Sequence, residues 1–542
     1  MAENTQQQNE LATYVIDREA RLRSQRNELE QSWNEIARYC LPRKASFLEQ
    51  SQSGAGVDRN RTVLDSTAAR ALELFASFLH TMNNNPSAQW FLVEDEDAEI
   101  NEDQEARDWF EKVSRITRAE FAGEKANVYG NLHETYLDTG AFGTAILFSD
   151  YTDRLRVRSF HLADCVIDEN SHGFIDTVFR QARFTLRQAQ QKFGEEYLDE
   201  NRRKTDEELC TYIHAVFPVT DADARDLIDP LVERAGFTHT SIWIDADTRK
   251  VVQQSGYREF PYAVPRWYRV REDMYGRSPA MTVMPDVRMA NRMKETILRG
   301  AEKLVDPPLL MPDGGLVSPV RLMPGGLTFT DGQVKPEPLI PPGASRIEMG
   351  QELLSRTQDA IRDGFFNPLF VTPDSPVKTA TQVLQQVDER NRAVSPMLVR
   401  QQTELYHPFI KRTINLLNRA GKFPERPSIL VGRPLTVRYV SPLASSQLQL
   451  EALGTQRIIE GLLPWANVDP TVLDAFNPDE VAKVVQAGSG APTRILRSKS
   501  ELAKLRADRA DAAQQQQQTE NMVDATGATA KMVAATNNPR AR

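Results

Sequence analysis

The sequence predicts an α+β chain with helices first, a sheet-rich middle and helices again towards its end. Apolar residues recur at helical spacing over residues 8–41 and 62–83. Between Arg154 and Trp267 the texture changes to short alternating runs that suit antiparallel strands. Beyond Tyr275, two long helical patterns flank a stretch dense in proline and glycine.

The first pattern carries Leu11, Val15, Leu22, Leu29, Trp33, Ile36 and Tyr39, and predicts one long helix ended by Pro42. A polar loop over 43–60 follows. The second helix, 62–83, places Leu64, Ala68, Leu72, Phe75 and Leu79 on one face. The segment Asn83–Ser87 reads as a turn and Trp90–Val93 as a short strand. Acidic residues from Glu94 to Glu105 suit the start of a helix over Asp103–Phe121. Another helix, Asn127–Gly140, leads into a strand at Thr144–Phe148. Strands are then predicted at Leu155–Phe160, Val178–Phe184, Leu209–Val219, Thr240–Asp245 and Val251–Gln254, with one helix at Thr185–Phe193.

Ser278 and Pro279 mark a new start, because serine caps well and proline suits the first helical position. A rod of ~25 residues, roughly 38 Å at 1.5 Å per residue, runs from there to about Val305. A connector from Asp306 to Gly343 is rich in proline, with strands expected at Leu316–Leu322 and Leu327–Phe329. Ser345 and Glu348 form a capping box that opens a second rod, ending near Phe366. Asn367–Lys378 is a proline-containing loop. The pattern over Thr379–Ala420 is a long helix that Pro396 and Pro408 should kink, with Gly421 as its C-cap. Leu435–Val440 is a strand, 445–487 is mostly helical, 494–520 is helix-prone, and the last residues are expected to be disordered.

At 542 residues the chain exceeds a single core; a prior of ~150 residues per domain suggests about three or four units. Its 40% hydrophobic and 26% charged residues are an ordinary soluble balance. No apolar run approaches the ~20 residues of a membrane span, and MAENTQQQNE lacks the features of a signal peptide. The chain is therefore expected to stay in the cytoplasm in which it is made. Cys40, Cys165 and Cys210 lie far apart and read as isolated reduced thiols. A net charge of −9 disfavours tight, general clasping of duplex DNA, though not a surface past which DNA slides.

Catalytic patterns are missing from the sequence. There is no G-x-x-x-x-G-K-[ST], H-E-x-x-H, G-x-S-x-G or zinc-ligand spacing. The seven histidines are scattered and read as structural or surface residues. Glu94–Asp97 reads as a solvated turn rather than a metal cluster. No cofactor and no metal are expected.

Several pieces resemble the head-to-tail connector (portal) family of short-tailed, T7-like phages. They are YGRSPA (Tyr275–Ala280), MPDVRMANRM (Met284–Met293), AEKLVDPPLL (Ala301–Leu310), PGG (Pro324–Gly326), FFNPLF (Phe365–Phe370), TATQV (Thr379–Val383) and VRYVSPLA (Val437–Ala444). DTGAFGT (Asp138–Thr144) and the Asn83–Trp90 turn also fit, in order, over about residues 10–450. The resemblance implies a portal-protein fold: an α+β wing (1–277), a stem helix (278–305), a small strand-containing clip (306–344) and an antiparallel second stem helix (345–366). A channel loop (367–378), a long kinked helix with a wing strand (379–444) and a mainly helical crown (445–520) complete it, with a tail at 521–542.

The same resemblance implies a ring, usually dodecameric, at one capsid vertex of the virion, assembled in the host cytoplasm, with double-stranded DNA passing through it. Its implied partners are the terminase large subunit, tail adaptor proteins, the major capsid and scaffolding proteins, and internal core proteins; no membrane is involved. In the loop, Asn367, Asp374 and Lys378 are the DNA-channel candidates. In the stem they are Arg288, Arg292, Lys294, Arg299, Lys303, Arg346, Arg356 and Arg362. For each stem cation two readings stand: a charged ring in the channel, or an ion pair within or between subunits. The clip is a docking surface or a plain linker. Arg494–Arg509, with more basic than acidic residues, is a DNA-facing crown helix or a solvated one. The rival functions are a tail adaptor, which predicts a shorter chain without paired rods, and a DNA-processing enzyme, which predicts a clustered carboxylate or nucleotide site.

Overall fold

Arg26 divides the first helical stretch in two, giving α1 (Ala2–Gln25) and α2 (Asn27–Cys40) instead of one helix over 8–41. Its buried guanidinium donates to Glu30 Oε1 at 2.7 Å, to the carbonyls of Leu162 and Ala163 at 3.0 Å, and to that of Cys165. A charge removed from water must be met this completely, and meeting it fixes the bend. The computed structural model describes residues 2–44, 63–86, 89–97, 99–194, 209–271, 273–307, 309–310, 337–338, 347–370, 398–440, 442–466, 475–489, 491, 495–497 and 501–515. The chain divides into two compact units: residues 1–93, 112–425 and 435–439, and residues 94–111, 426–434 and 440–542.

In the first unit, α3 (Thr67–Asn83) begins later than the pattern suggests. Asn291 Oδ1 accepts the Leu64 and Asp65 N–H groups at 3.0 Å, and Asp65 Oδ1 accepts that of Thr67 at 2.9 Å. Those bonds hold the preceding residues out of the helix. Next along the chain come β1 (Phe91–Glu94), α4 (Gln104–Phe121, whose residues up to Glu111 belong to the second unit) and α5 (Val128–Phe142). Gly143 ends α5 with φ +80, and a Cβ there would lie 2.3 Å from the Gly276 carbonyl oxygen. Gly276 N–H donates to Thr144 Oγ1 at 2.8 Å, and Ser278 Oγ donates to the Ala141 carbonyl at 2.8 Å. DTGAFGT and YGRSPA are therefore two halves of one backbone crossing. Asp138, fully buried, is neutralised by Lys44 Nζ at 2.7 Å.

The middle holds two antiparallel sheets. The smaller has order β3-β2-β9, with β2 Ile146–Tyr151, β3 Leu155–Phe160 and β9 Tyr262–Ala263. The larger runs β4-β5-β6-β7-β8, from β4 (Cys165–Glu169) and β5 (Ile175–Thr185) through β6 (Leu209–Pro218) and β7 (His239–Asp245) to β8 (Lys250–Tyr257). Helix α6 (Leu186–Phe193) starts at the Thr185–Gln188 capping box, and α7 (Pro230–Arg234) is a single turn. Leu11, Ala12, Val15 and Leu22 of α1 pack on Val166, Phe179, Ile213 and Phe217 of the larger sheet. All three cysteines are buried and none is in a disulfide; burial pushes the Cys40 and Cys165 thiols up to about 12.

Helix α8 (Pro279–Val305) opens as expected, Ser278 Oγ accepting the Met281 N–H at 3.0 Å with Pro279 at the first position. Of the connector, β10 (Leu309–Leu310) and β11 (Glu337–Pro338) pair antiparallel. The strands expected at 316–322 and 327–329, Ser345 of the capping box, and Pro396 lie outside the described residues. Helix α9 (Ile347–Gly364) follows, then a helical turn, α10 (Asn367–Phe370), where the sequence suggested loop. Residues 398–419 are continuously helical, with a π-helical turn, Gln402–Tyr406, leading into α11 (His407–Arg419); Pro408 therefore lies inside the helical run, where its missing N–H interrupts the regular ladder directly after the π-turn. Gly421 (φ +66) ends α11 in a Schellman motif: Lys422 N–H reaches the Leu417 carbonyl at 3.1 Å and Gly421 N–H that of Asn418 at 3.0 Å. Strand β12 (Thr436–Tyr439) pairs with β1.

In the second unit, α12 (Pro442–Ala466) and α13 (Pro478–Ser489) pack closely enough that a Cβ on Gly488 would lie 2.3 Å from that of Ala452. Residues 501–515 are helical, and Arg506 there grips the Asp479 carboxylate at 2.6 and 3.0 Å. The acidic turn is built by Asp95, which accepts the Asp97 N–H at 3.0 Å and pairs with Arg433 at 3.3 Å.

Candidate nucleic-acid interface

Helices α8 and α9 form an antiparallel pair. Val283 at the head of α8 abuts Gly364 at the end of α9, Ile297 lies against Gly350, and Ile347 lies against Gly300. Glycine at the two last contacts lets the backbones approach. Five of the named stem cations in the described residues engage carboxylates: Arg288 with Glu35 of α2 at 2.6 Å, Lys294 with Asp65 at 3.6 Å, Arg299 with Glu295 at 2.6 Å, Arg356 with Glu352 at 2.7 Å and Arg362 with Asp359 at 2.6 Å. Arg292 and Lys303 are exposed and make no ion pair among the described residues.

Helical geometry groups these residues. At about 100° per residue, Arg288, Arg292, Arg299 and Lys303 fall within about 60° of one another, a basic stripe along one side of α8. Lys294 points elsewhere, towards Asp65, which Gln358 Nε2 of α9 also meets at 2.6 Å. Burial alone would raise the Asp65 carboxyl, but the Thr67 and Gln358 hydrogen bonds and the Lys294 charge bring it below its ordinary value. This junction ties α3, α8 and α9 together. Large apolar side chains remain uncovered on the pair: Met289, Leu298 and Leu304 on α8, and Met349 (70% exposed) and Leu353 (49%) on α9.

At the end of α9 the chain is anchored before it reaches the expected loop. Phe365 is fully buried, edge-on to Phe75 at 6.4 Å, and Phe75 meets Trp267 at 5.0 Å. Asn367, a loop candidate, is 6% exposed, with its side-chain amide 3.2 Å from the Ala71 carbonyl. Arg346, Asp374 and Lys378 lie outside the described residues.

The approach to the segment beyond the expected loop is pinned by groups that sequence reasoning passed over. Glu404, in the π-helical turn, accepts both the main-chain N–H of Arg266 at 2.8 Å and its guanidinium at 2.9 Å. The same guanidinium holds Glu169 at 2.9 Å, and Arg269 closes the cluster on Glu169 at 2.8 Å. Burial would lower the Arg266 guanidinium, but Glu404 and Glu169 raise it. Two turns along, Arg412 of α11 donates to the Ser149 carbonyl at 3.1 Å and the Glu259 carbonyl at 2.7 Å. The one signal for this hub was arginine inside the apolar run AVPRWY. Among the described residues, no group of three or more His, Cys, Asp or Glu could hold a metal ion, and no helix is long and apolar enough to cross a membrane.

Comparison with known proteins places these features in a lineage. The family model described as bacteriophage head to tail connecting protein matches residues 12–496. A Bordetella phage BPP-1 protein named "Probable portal protein" is 28% identical over 538 residues, covering 96% of this chain and 94% of its own. The "Portal protein" of Salmonella phage epsilon15 is 25% identical over 519 residues, covering 91% and 90%. Among solved structures, a chain in the neck of an empty gene transfer agent particle aligns over 74% of this chain and 89% of its own, with 11% identity and a TM-score of 0.38. On the strength of the match over most of its length, this chain belongs to the bacteriophage head-to-tail connecting proteins.

Proposed function

We propose that this chain is the portal of a tailed phage, a non-enzymatic ring at one capsid vertex through which DNA is packaged and ejected. The observation that carries the reading is the α8–α9 pair, which leaves Met349, Leu353, Leu298 and Met289 uncovered beside a basic stripe. Apolar side chains this large on a rod gain by burial against a second copy of the same rod. Repetition around an axis closes a tube. The stripe of Arg292 and Lys303 then supplies sparse positive charge, in a chain of net −9, past which a duplex can slide without being held.

The finer reading is a dodecameric connector of the short-tailed, T7-like type, in the virion after assembly in the host cytoplasm. Its clip meets the terminase large subunit during packaging and tail adaptor proteins afterwards. Its wing and crown meet capsid, scaffolding and internal core proteins. Asp374 and Lys378 belong to the channel loop, and Arg346 to the second shaft.

Light scattering and negative-stain imaging of the purified full chain test this. Monodisperse rings with a central hole are expected. A monomer at high concentration, with nuclease or ATPase activity, would replace the portal by an enzyme; a ring-free, DNA-inert monomer would leave the tail adaptor.

A further inference from the structure

The three-stranded and five-stranded sheets of the first unit face each other across a cavity of about 690 Å³. Strand alternation decides what lines it, since residues two apart share a face. From β3 come Arg156, Arg158 and Phe160, from β5 Arg180 and Phe184, and from β7 Ser241 and Trp243; α6 adds Gln188, Gln191 and Lys192. Among the described residues one carboxylate, Asp150, shares the lining. The described lining is thus strongly positive in a chain of net −9.

Two of these cations are held by rings instead of counter-charges. The Arg180 guanidinium lies 4.0 Å from the centre of Phe160, and Lys192 Nζ lies 3.1 Å from the centre of Trp243. Trp243 is backed on its own strand layer by His214, stacked at 4.2 Å. Arg156 is taken by Asp153 at 2.9 Å, but Arg158, Arg180 and Lys192 make no ion pair among the described residues. Arg180 Nε is buried without a hydrogen-bond partner. Burial, then the charges of Arg180 and Arg158, push the Lys192 amine down to about 7, with Asp150 opposing. Cation–π contacts steady the charges while leaving N–H donors unused.

We propose that this cavity binds the phosphoryl group of a small ligand, with Arg158, Arg180 and Lys192 as its donors. Three cations converging from a strand of each sheet and a helix surround a tetrahedral, multiply charged anion better than a planar carboxylate. The volume lies in the range of small-molecule sites, and a phosphate would leave room for a nucleoside beside Phe184, Gln188 and Gln253. A duplex does not fit a space of this size, so the site is separate from any DNA path.

Calorimetric titration of the assembled full-length protein at low salt tests this, with inorganic phosphate, pyrophosphate, a nucleoside triphosphate and glutamate as probes. Saturable binding of a phosphate-bearing probe is expected, with a change in Trp243 emission that Trp243→Phe removes. The double variant Arg158→Gln/Lys192→Gln should weaken binding by roughly tenfold or more while unfolding at the wild-type midpoint. Arg292→Gln, on the stem, should leave it unchanged. Tighter binding of the nucleotide than of phosphate identifies a nucleotide as the ligand; the reverse identifies free phosphate. Binding of no phosphate-bearing probe, binding of glutamate alone, or equal weakening by Arg292→Gln would overturn the assignment.

Discussion

Glu404 holds Arg266 twice, by its main-chain N–H at 2.8 Å and by its guanidinium at 2.9 Å, in a site where the arginine side chain is 2% exposed. The carboxylate thus replaces a backbone partner and a counter-ion at once. Its position in a π-helical turn is the consequence: the extra residue in the turn re-aims a side chain that a regular helix would carry past.

Removing that carboxylate leaves an orphaned amide and a charge compensated only by Glu169. Glu404→Ala should cost on the order of 3 kcal/mol, since breaking one partner of a buried pair is far worse than replacing both. The urea midpoint should fall accordingly. Glu404→Gln, which can still accept the amide, should cost less. Equal midpoints for wild type and Glu404→Ala would mean the pair contributes nothing.

Gly143 and Gly236 separate two penalties. Both have positive φ, +80 and +73, but only at Gly143 would a Cβ strike a backbone carbonyl, that of Gly276 at 2.3 Å; at Gly236 nothing lies within 4 Å. Gly236→Ala should therefore cost only the backbone term, about 1 kcal/mol. Gly143→Ala must also part the crossing between the end of α5 and the start of α8, and should lose ring assembly or soluble yield. Comparable thermal midpoints for the two variants would refute the close approach.

Features whose causes are local were readable in the sequence. Ser278 with Pro279, Thr185 with Gln188, and Gly421 each carry their capping chemistry within a few residues, and each caps the expected helix. The Arg299–Glu295 pair follows from helical spacing alone. Features with distant causes were hidden. Arg26 breaks its helix for a carbonyl 136 residues away, and α3 starts late because Asn291, 226 residues from Asp65, claims two amides. Strands Cys165–Glu169 and Tyr262–Ala263 escaped because one is short and buried along its first three residues and the other is two residues long. Asn367 and Pro368 look like loop residues. Proline is nevertheless tolerated in a first helical turn, and the burial of Phe365 holds that turn in place.

His239 should shape the acid limb of stability. Burial, then the Arg412 charge, push its ring down to about 4, against 6.5 for a free ring. Between those values the unfolded chain binds a proton that the folded chain refuses. Stability therefore falls as pH drops from about 6.5 towards 4, and this contribution levels off below 4. His214, fully buried between Tyr262 and Ser241, is lowered as well and adds to the same slope. His239→Phe should flatten the slope in part, seen in urea midpoints at pH 4.5, 5.5 and 7. An unchanged slope would mean the ring titrates normally.

Arg292 and Lys303, the two stem candidates without an ion pair among the described residues, offer the sharpest test of the proposed channel. They share one side of α8, about 16 Å apart at 1.5 Å per residue, while Arg356 on α9 is already neutralised by Glu352 at 2.7 Å. If DNA passes along that side, Arg292→Gln/Lys303→Gln removes from every subunit two charges that have no ion pair among the described residues. Rings should still form, because neither residue is buried. Packaged DNA should be retained less well, and the deficit should widen at low salt, where these charges act over a longer range. Arg356→Gln, which only breaks an exposed i,i+4 pair worth about 0.3–0.5 kcal/mol, should package normally. Equal packaging by all three proteins would place the duplex against some other surface of the ring.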